Sequence, residues 1–147
     1  MSTLTIPTLI FVEFISAAEL TLYPKKILSP GDTISAIGNF EKLNLTEPAS
    51  CNVSSENTPN GLVYTTKISG KVYDEKNRQL QHSLQIKFHN YRITDVQKNK
   101  YLLGIDKKPY PEIIFSPVND ADPTGTRVVP FEITWISTLP PIDIIDL

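Results

Sequence analysis

Along residues 61–73, GLVYTTKISGKVY, apolar and polar side chains alternate for longer than anywhere else in the chain. Leu62, Tyr64, Thr66, Ile68 and Val72 fall on one side of an extended backbone, and Val63, Thr65, Lys67, Ser69, Lys71 and Tyr73 on the other. Successive side chains of a strand point to opposite faces, so the pattern predicts a half-buried strand. Gly70 interrupts the apolar side, which predicts a bulge or the close approach of another backbone. Residues 8–16, TLIFVEFIS, are nearly continuous in hydrophobicity, as in a strand covered on both faces. Leu20 and Leu22 alternate again up to Pro24, either as a second strand joined near Ala17 and Ala18 or as the kinked end of one long strand.

Pro30-Gly31-Asp32 signals a turn, and residues 33–40 read as a short strand after it. Residues 41–60 are polar apart from Leu43, Leu45 and Val53, and read as a long surface excursion with room for a short strand near 49–53. Residues 74–81, DEKNRQLQ, suit a hairpin loop or one short helix running towards Gln85. Alternation then predicts a strand over 84–95 and another over 100–105, paired through a hairpin in which Asn99 takes a positive φ. Residues 112–116 predict a short strand and 117–125 a tight polar loop. Over 127–137, Phe131, Ile133 and Trp135 share one face, and Glu132, Thr134 and Ile136 the other. Pro130 cannot donate to a ladder, so this strand is expected at an edge or starting just after the proline. The sum is an all-β or β-rich fold, an antiparallel β-sandwich or barrel with at most one short helix.

Composition narrows the class. The chain has 147 residues, enough for one domain with a core that needs neither metal nor disulfide, and no internal boundary is expected. Twelve prolines against six glycines leave little room for long helices. A net charge of −2, with 14 basic residues dispersed along the chain, offers no concentrated field for a phosphate backbone, so nucleic acid is not an expected partner. The apolar run 6–15 lacks a basic flank and contains Pro7 and Glu13, which argues against a signal peptide; it is also too short and interrupted to span a bilayer. Synthesis and folding in the cytoplasm, away from membranes, are the expectation.

Candidate chemistry is sparse. Cys51 is the sole cysteine, in a polar stretch without a neighbouring histidine, so it reads as a loop or partly buried thiol rather than a nucleophile. His82 and His89 are the two histidines, and neither lies in a ligand-spacing motif. Asp120-Ala121-Asp122-Pro123-Thr124-Gly125 begins like a calcium loop, but its twelfth position is Phe131 and Pro123 breaks the turn, so it reads as a solvated loop. Gly61, Gly70 and Gly104 stand alone, without phosphate-binding spacing. Tyr64, Tyr73, Phe88, Tyr91 and Tyr101 invite comparison with a stacking platform for sugars or bases, although cross-strand packing accounts for aromatics at alternating positions. No catalytic, cofactor-binding or metal residue is assigned, no cofactor is expected, and the expectation is a non-enzyme.

The chain stays apolar over 139–147, LPPIDIIDL, where prolines prevent simple extension of the preceding ladder. This segment either folds back on its own core or docks as an arm on a neighbouring subunit. The succession GLVYTTKISGKVY, YRITDVQKNKYLLGID, KPYPEIIFSPVND and VPFEITWISTLPP, spanning about residues 60–141, resembles small structural proteins of tailed-bacteriophage virions and prophages. That resemblance implies a non-enzymatic subunit of the tail or head-to-tail junction, made in the host cytoplasm, found in the virion, and partnered by copies of itself and other virion proteins. The apolar ends and residues 41–60 are the expected contacts. A monomeric carbohydrate- or peptide-binding β-sandwich, using Tyr73 or Tyr91 on a strand face, is the alternative.

Overall fold

The computed structural model describes residues 2–23, 27–73, 78–116 and 128–145. Their elements are β1 (Ser2–Ser16), β2 (Thr21–Tyr23), β3 (Thr33–Ile37), β4 (Glu41–Lys42), β5 (Ala49–Thr58), β6 (Gly61–Tyr73), α1 (Arg78–Ile86), β7 (His89–Asp95), β8 (Lys100–Leu103), β9 (Glu112–Phe115), β10 (Val128–Ser137) and β11 (Ile142–Ile144). Ten strands follow the hydrogen-bonded order β2-β3-β11-β8-β7-β1-β5-β6-β10-β9, with β4 on β1 beside this path. The β11–β3 pair is parallel and the others are antiparallel. Among the described residues the fold is β-rich with one short helix, as the alternation predicts.

Laid flat, ten strands at about 4.8 Å spacing would extend about 45 Å. One apolar cluster nevertheless collects side chains from each of these ten, from Leu22 on β2 to Phe115 on β9. The sheet therefore curls over on itself. Among the described residues its end strands β2 and β9 are not partners of each other.

β6 takes the predicted bounds, with Thr66, Ile68 and Val72 buried and Lys67, Ser69 and Lys71 exposed. Register runs unbroken through Gly70, so no bulge forms there. The close approach comes from side chains: a Cβ on Gly70 would lie 3.0 Å from Ala49 Cβ and from two ring atoms of Phe131. β1 and β7 are covered on both faces over Val12 to Ile15 and over most of His89 to Asp95, as the continuous hydrophobicity of β1 requires. Within that covered layer Glu13 accepts from Arg92 Nε at 3.1 Å and Nη2 at 2.7 Å, while the guanidinium lies 4.1 Å from the centre of the Phe40 ring. Gly38 allows the β3–β4 connection to press against Ile15, into whose Cδ1 a Cβ would run.

Several expectations are corrected. Residues 41–60 are no excursion: β4 and β5 run between β1 and β6, joined through Leu45, which bridges Val72. The short strand allowed near 49–53 is present, with small or apolar inward residues Ala49, Cys51 and Val53 alternating with Ser50 and Asn52, and it runs on through polar residues to Thr58. The predicted strand over 84–95 begins only at His89, because α1 continues to Ile86. In the β7–β8 turn the positive φ belongs to Lys98, and Asn99 instead donates its N–H to Asp95 Oδ1 at 3.0 Å. Pro130 lies inside β10, an interior strand. Its carbonyl accepts from Ser116 N–H where β9 ends, so its missing N–H faces the end of that ladder and costs no β6 pairing. Of the two courses left open for residues 139–147, the described part takes the first within this chain, with β11 seated between β8 and β3. The loop over 117–125, including Asp120 and Asp122, lies outside the described residues.

Candidate functional site

The titratable candidates do not converge. His82 is exposed on α1, whereas His89 is buried, its Nδ1 3.1 Å from the Lys87 carbonyl and its ring edge-on to Phe14. Among the described residues no three of His, Cys, Asp and Glu gather as metal ligands. Cys51 is a strand residue, not a loop thiol, and burial pushes its pKa from 9.0 to about 12. At neutral pH it stays a thiol, which is the form that neither attacks nor ligates. No helix is long and apolar enough to cross a membrane among the described residues.

The aromatic platform is dismantled by packing. Tyr91 is fully buried and its hydroxyl pKa is raised by that burial, so it cannot meet a ligand. Tyr101 is half-buried, with its hydroxyl 3.4 Å from Asp95 Oδ2; burial first, then the Asp95 and Asp143 carboxylates, raise its pKa. Beside it, Lys98, Asn99, Lys100 and Asp143 line an open polar depression of about 410 Å³. Tyr73 remains exposed.

The surface that stands out lies at the β9 end of the sheet. Ser116 N–H bonds towards β10, so by strand alternation Ile113 and Phe115 turn their backbone groups to the opposite, open side. There Phe115 N–H donates to Gln85 Oε1 of α1 at 3.0 Å. The helix thus covers part of an edge that would otherwise invite another strand. Between α1 and β9 runs a groove of about 350 Å³, with buried Leu84 and Ile113 among its lining residues. Three large apolar side chains of that lining are exposed: Ile86 at 63 %, Phe88 at 58 % and Ile114 at 64 %. Phe88 also packs on Tyr110, with ring centres 5.0 Å apart and planes inclined by 30°. Lys87 and Glu112 supply one charge of each sign beside them.

This cluster was invisible as a cluster in the sequence. The alternation that predicts a strand over 84–95 does not distinguish these residues; the chain is helical as far as Ile86, and Leu84 is buried while Ile86 and Phe88 are exposed. At the opposite end of the sheet Tyr23 on β2, opposite Ser35, and Ile37 on β3, opposite Thr21, are exposed as well. Comparison with family models, characterised proteins and solved structures returned no match.

Proposed function

We propose that this chain is a non-enzymatic structural subunit that works through subunit contacts. The particle we infer is a bacteriophage virion, at its tail or head-to-tail junction, with copies of the chain and other virion proteins as partners. The observation that carries the contact reading is the apolar group Ile86, Phe88 and Ile114 around the α1–β9 groove. Clustered exposed side chains of this size mark interaction surfaces far more often than isolated ones do. The particle itself rests on the segment resemblance over residues 60–141.

Light scattering on a size-exclusion column, run across concentrations, tests the contact reading. Assembly is expected for the native chain and is expected to weaken in Phe88→Ser and Ile114→Lys, with unfolding midpoints changed little because both side chains are more than half exposed. Assembly indifferent to both substitutions overturns this assignment of the surface. A carbohydrate-binding module is favoured instead if glycan-array binding appears and is lost in Phe88→Ala, since Phe88 is an exposed ring beside the groove and packs on half-buried Tyr110.

A further inference from the structure

β10 pairs with β6 and β9, yet β11, a few residues further on, lies between β3 and β8. The chain makes that crossing over residues 138–141, which include Pro140 and Pro141. Each proline holds φ near −65°, so the connection is stiff and extended. β11 makes no ladder with the strand that precedes it.

In its slot β11 is held on both edges. Ile142 and Asp143 pair with Leu102 and Tyr101 on β8, and Asp143 and Ile144 pair with Thr33 and Ile34 on β3. Ile145 N–H donates to the Ile34 carbonyl at 2.9 Å, and Ser35 Oγ donates to the Ile145 carbonyl at 3.2 Å. Ile142 is buried in the cluster that contains Ile34 and Leu102. Among the described residues the only other partner of β3 is β2, so β11 is the hydrogen-bonded link between the β2–β3 pair and the remaining sheet. Without β11, two unpaired edges would flank a gap one strand wide, the arrangement that an added extended segment satisfies on both sides.

We propose that β11 is an exchangeable strand, and that in the assembled protein the slot between β3 and β8 is filled by β11 of a second copy. The inference rests on the subunit-contact reading and names the strand that joins the copies. The occupant follows from the contacts: the slot's apolar partners and backbone register are those that Ile142-Asp143-Ile144 already satisfies, so an identical segment fits without new chemistry. Exchange preserves the pairings of β11 and changes the course of residues 138–141, among them Leu139, which is buried in the same cluster, so concentration and hinge geometry decide which arrangement prevails. A hinge with two prolines favours the extended course.

The test locks the register that the structure gives. The variant Tyr101→Cys/Asp143→Cys, in a Cys51→Ala background, is prepared with light and heavy isotopes, mixed while unfolded, refolded at high concentration and oxidised. Light–heavy disulfide-linked chains by mass spectrometry are expected. Oligomers by light scattering that carry only disulfides within single chains overturn strand exchange and leave the subunit-contact reading standing; absence of oligomers at every concentration overturns both. Should the variant not fold, the native chain supplies the same answer in a mixed-label sample. An isotope-filtered NOE from Ile142 methyls of labelled chains to Leu102 of unlabelled chains is expected, and oligomers lacking it overturn the exchange.

Discussion

Gly70→Ala isolates a single methyl group at the tightest point of β6. Gly70 lies opposite Phe131, and no positive φ there obstructs a side chain. The new carbon would meet Ala49 Cβ, Phe131 Cε1 and Phe131 Cζ, each at 3.0 Å. Relaxed carbon–carbon contacts lie at about 3.5–4.0 Å, so each neighbour would have to retreat by about half an ångström. Neither has space: both are buried, and the Phe131 ring packs against Phe115 with centres 6.3 Å apart. Overpacking of this kind costs about 1–3 kcal/mol, whereas replacing glycine inside a strand recovers about 0.5–1 kcal/mol. The difference predicts destabilisation by about 1 kcal/mol. Trp135, the only tryptophan, is buried on adjacent β10, so its fluorescence reports urea unfolding directly. With m at about 2 kcal/mol/M, the midpoint should fall by about 0.5 M. In a Phe131→Leu background the obstruction shrinks, and the same substitution should become neutral or mildly stabilising. A higher midpoint for Gly70→Ala in the native background would refute the packing argument.

Other consequences are accessible to the same unfolding assay. Glu13 and Arg92 side chains are only 9 % and 19 % exposed, so Glu13→Ala should destabilise by about 2 kcal/mol, and Arg92→Lys should also lose stability because an ammonium cannot make the two-pronged pair while lying over Phe40. Trp135→Phe removes the 3.0 Å bond from Nε1–H to the Pro109 carbonyl, and thermal melts followed by circular dichroism should show a loss of about 1–2 kcal/mol. The Cys51 thiol, raised by burial from 9.0 to about 12, contributes stability that is whole below pH 9 and declines as pH climbs from 9 towards 12, because the unfolded chain ionises first. Tyr91 acts in the same direction, so urea midpoints should drop steadily over that window, more gently in Cys51→Ala than in the native chain. An aromatic disulfide reagent should label Cys51 only as fast as the chain opens, reaching completion in urea.

Where a strand has one wet face and one dry face, local pattern was sufficient. The inward faces of β6 and β10 were legible from Thr66 onward and from Phe131 onward, because Ile68, Ile133 and Trp135 recur at alternate positions, whereas Leu62 is exposed and Pro130 lies inside an interior strand. Doubly covered β1 was legible too, through unbroken hydrophobicity. β5 was legible only in part, as a short strand near 49–53: its inward positions there are Ala49, Cys51 and Val53, and its continuation to Thr58 carries the polar residues of a loop. The α1–β9 surface was hidden for a related reason. Whether Ile86 and Phe88 belong to a helix end or to a strand depends on where Gln85 finds its partner, and that partner is the N–H of Phe115, 30 residues away.

Taken alone, the amino-acid order determined the period-two character of the chain, hence sheets in place of long helices, and the scarcity of reactive groupings in any one motif. Tertiary structure alone decided the rest: which alternate face met the core, that residues 139–145 return as β11, and which apolar side chains remain in water. The reason is that alternation is encoded by neighbours two positions apart, whereas pairing partners and burial are set by strands far off in sequence, as β11 between β3 and β8 illustrates.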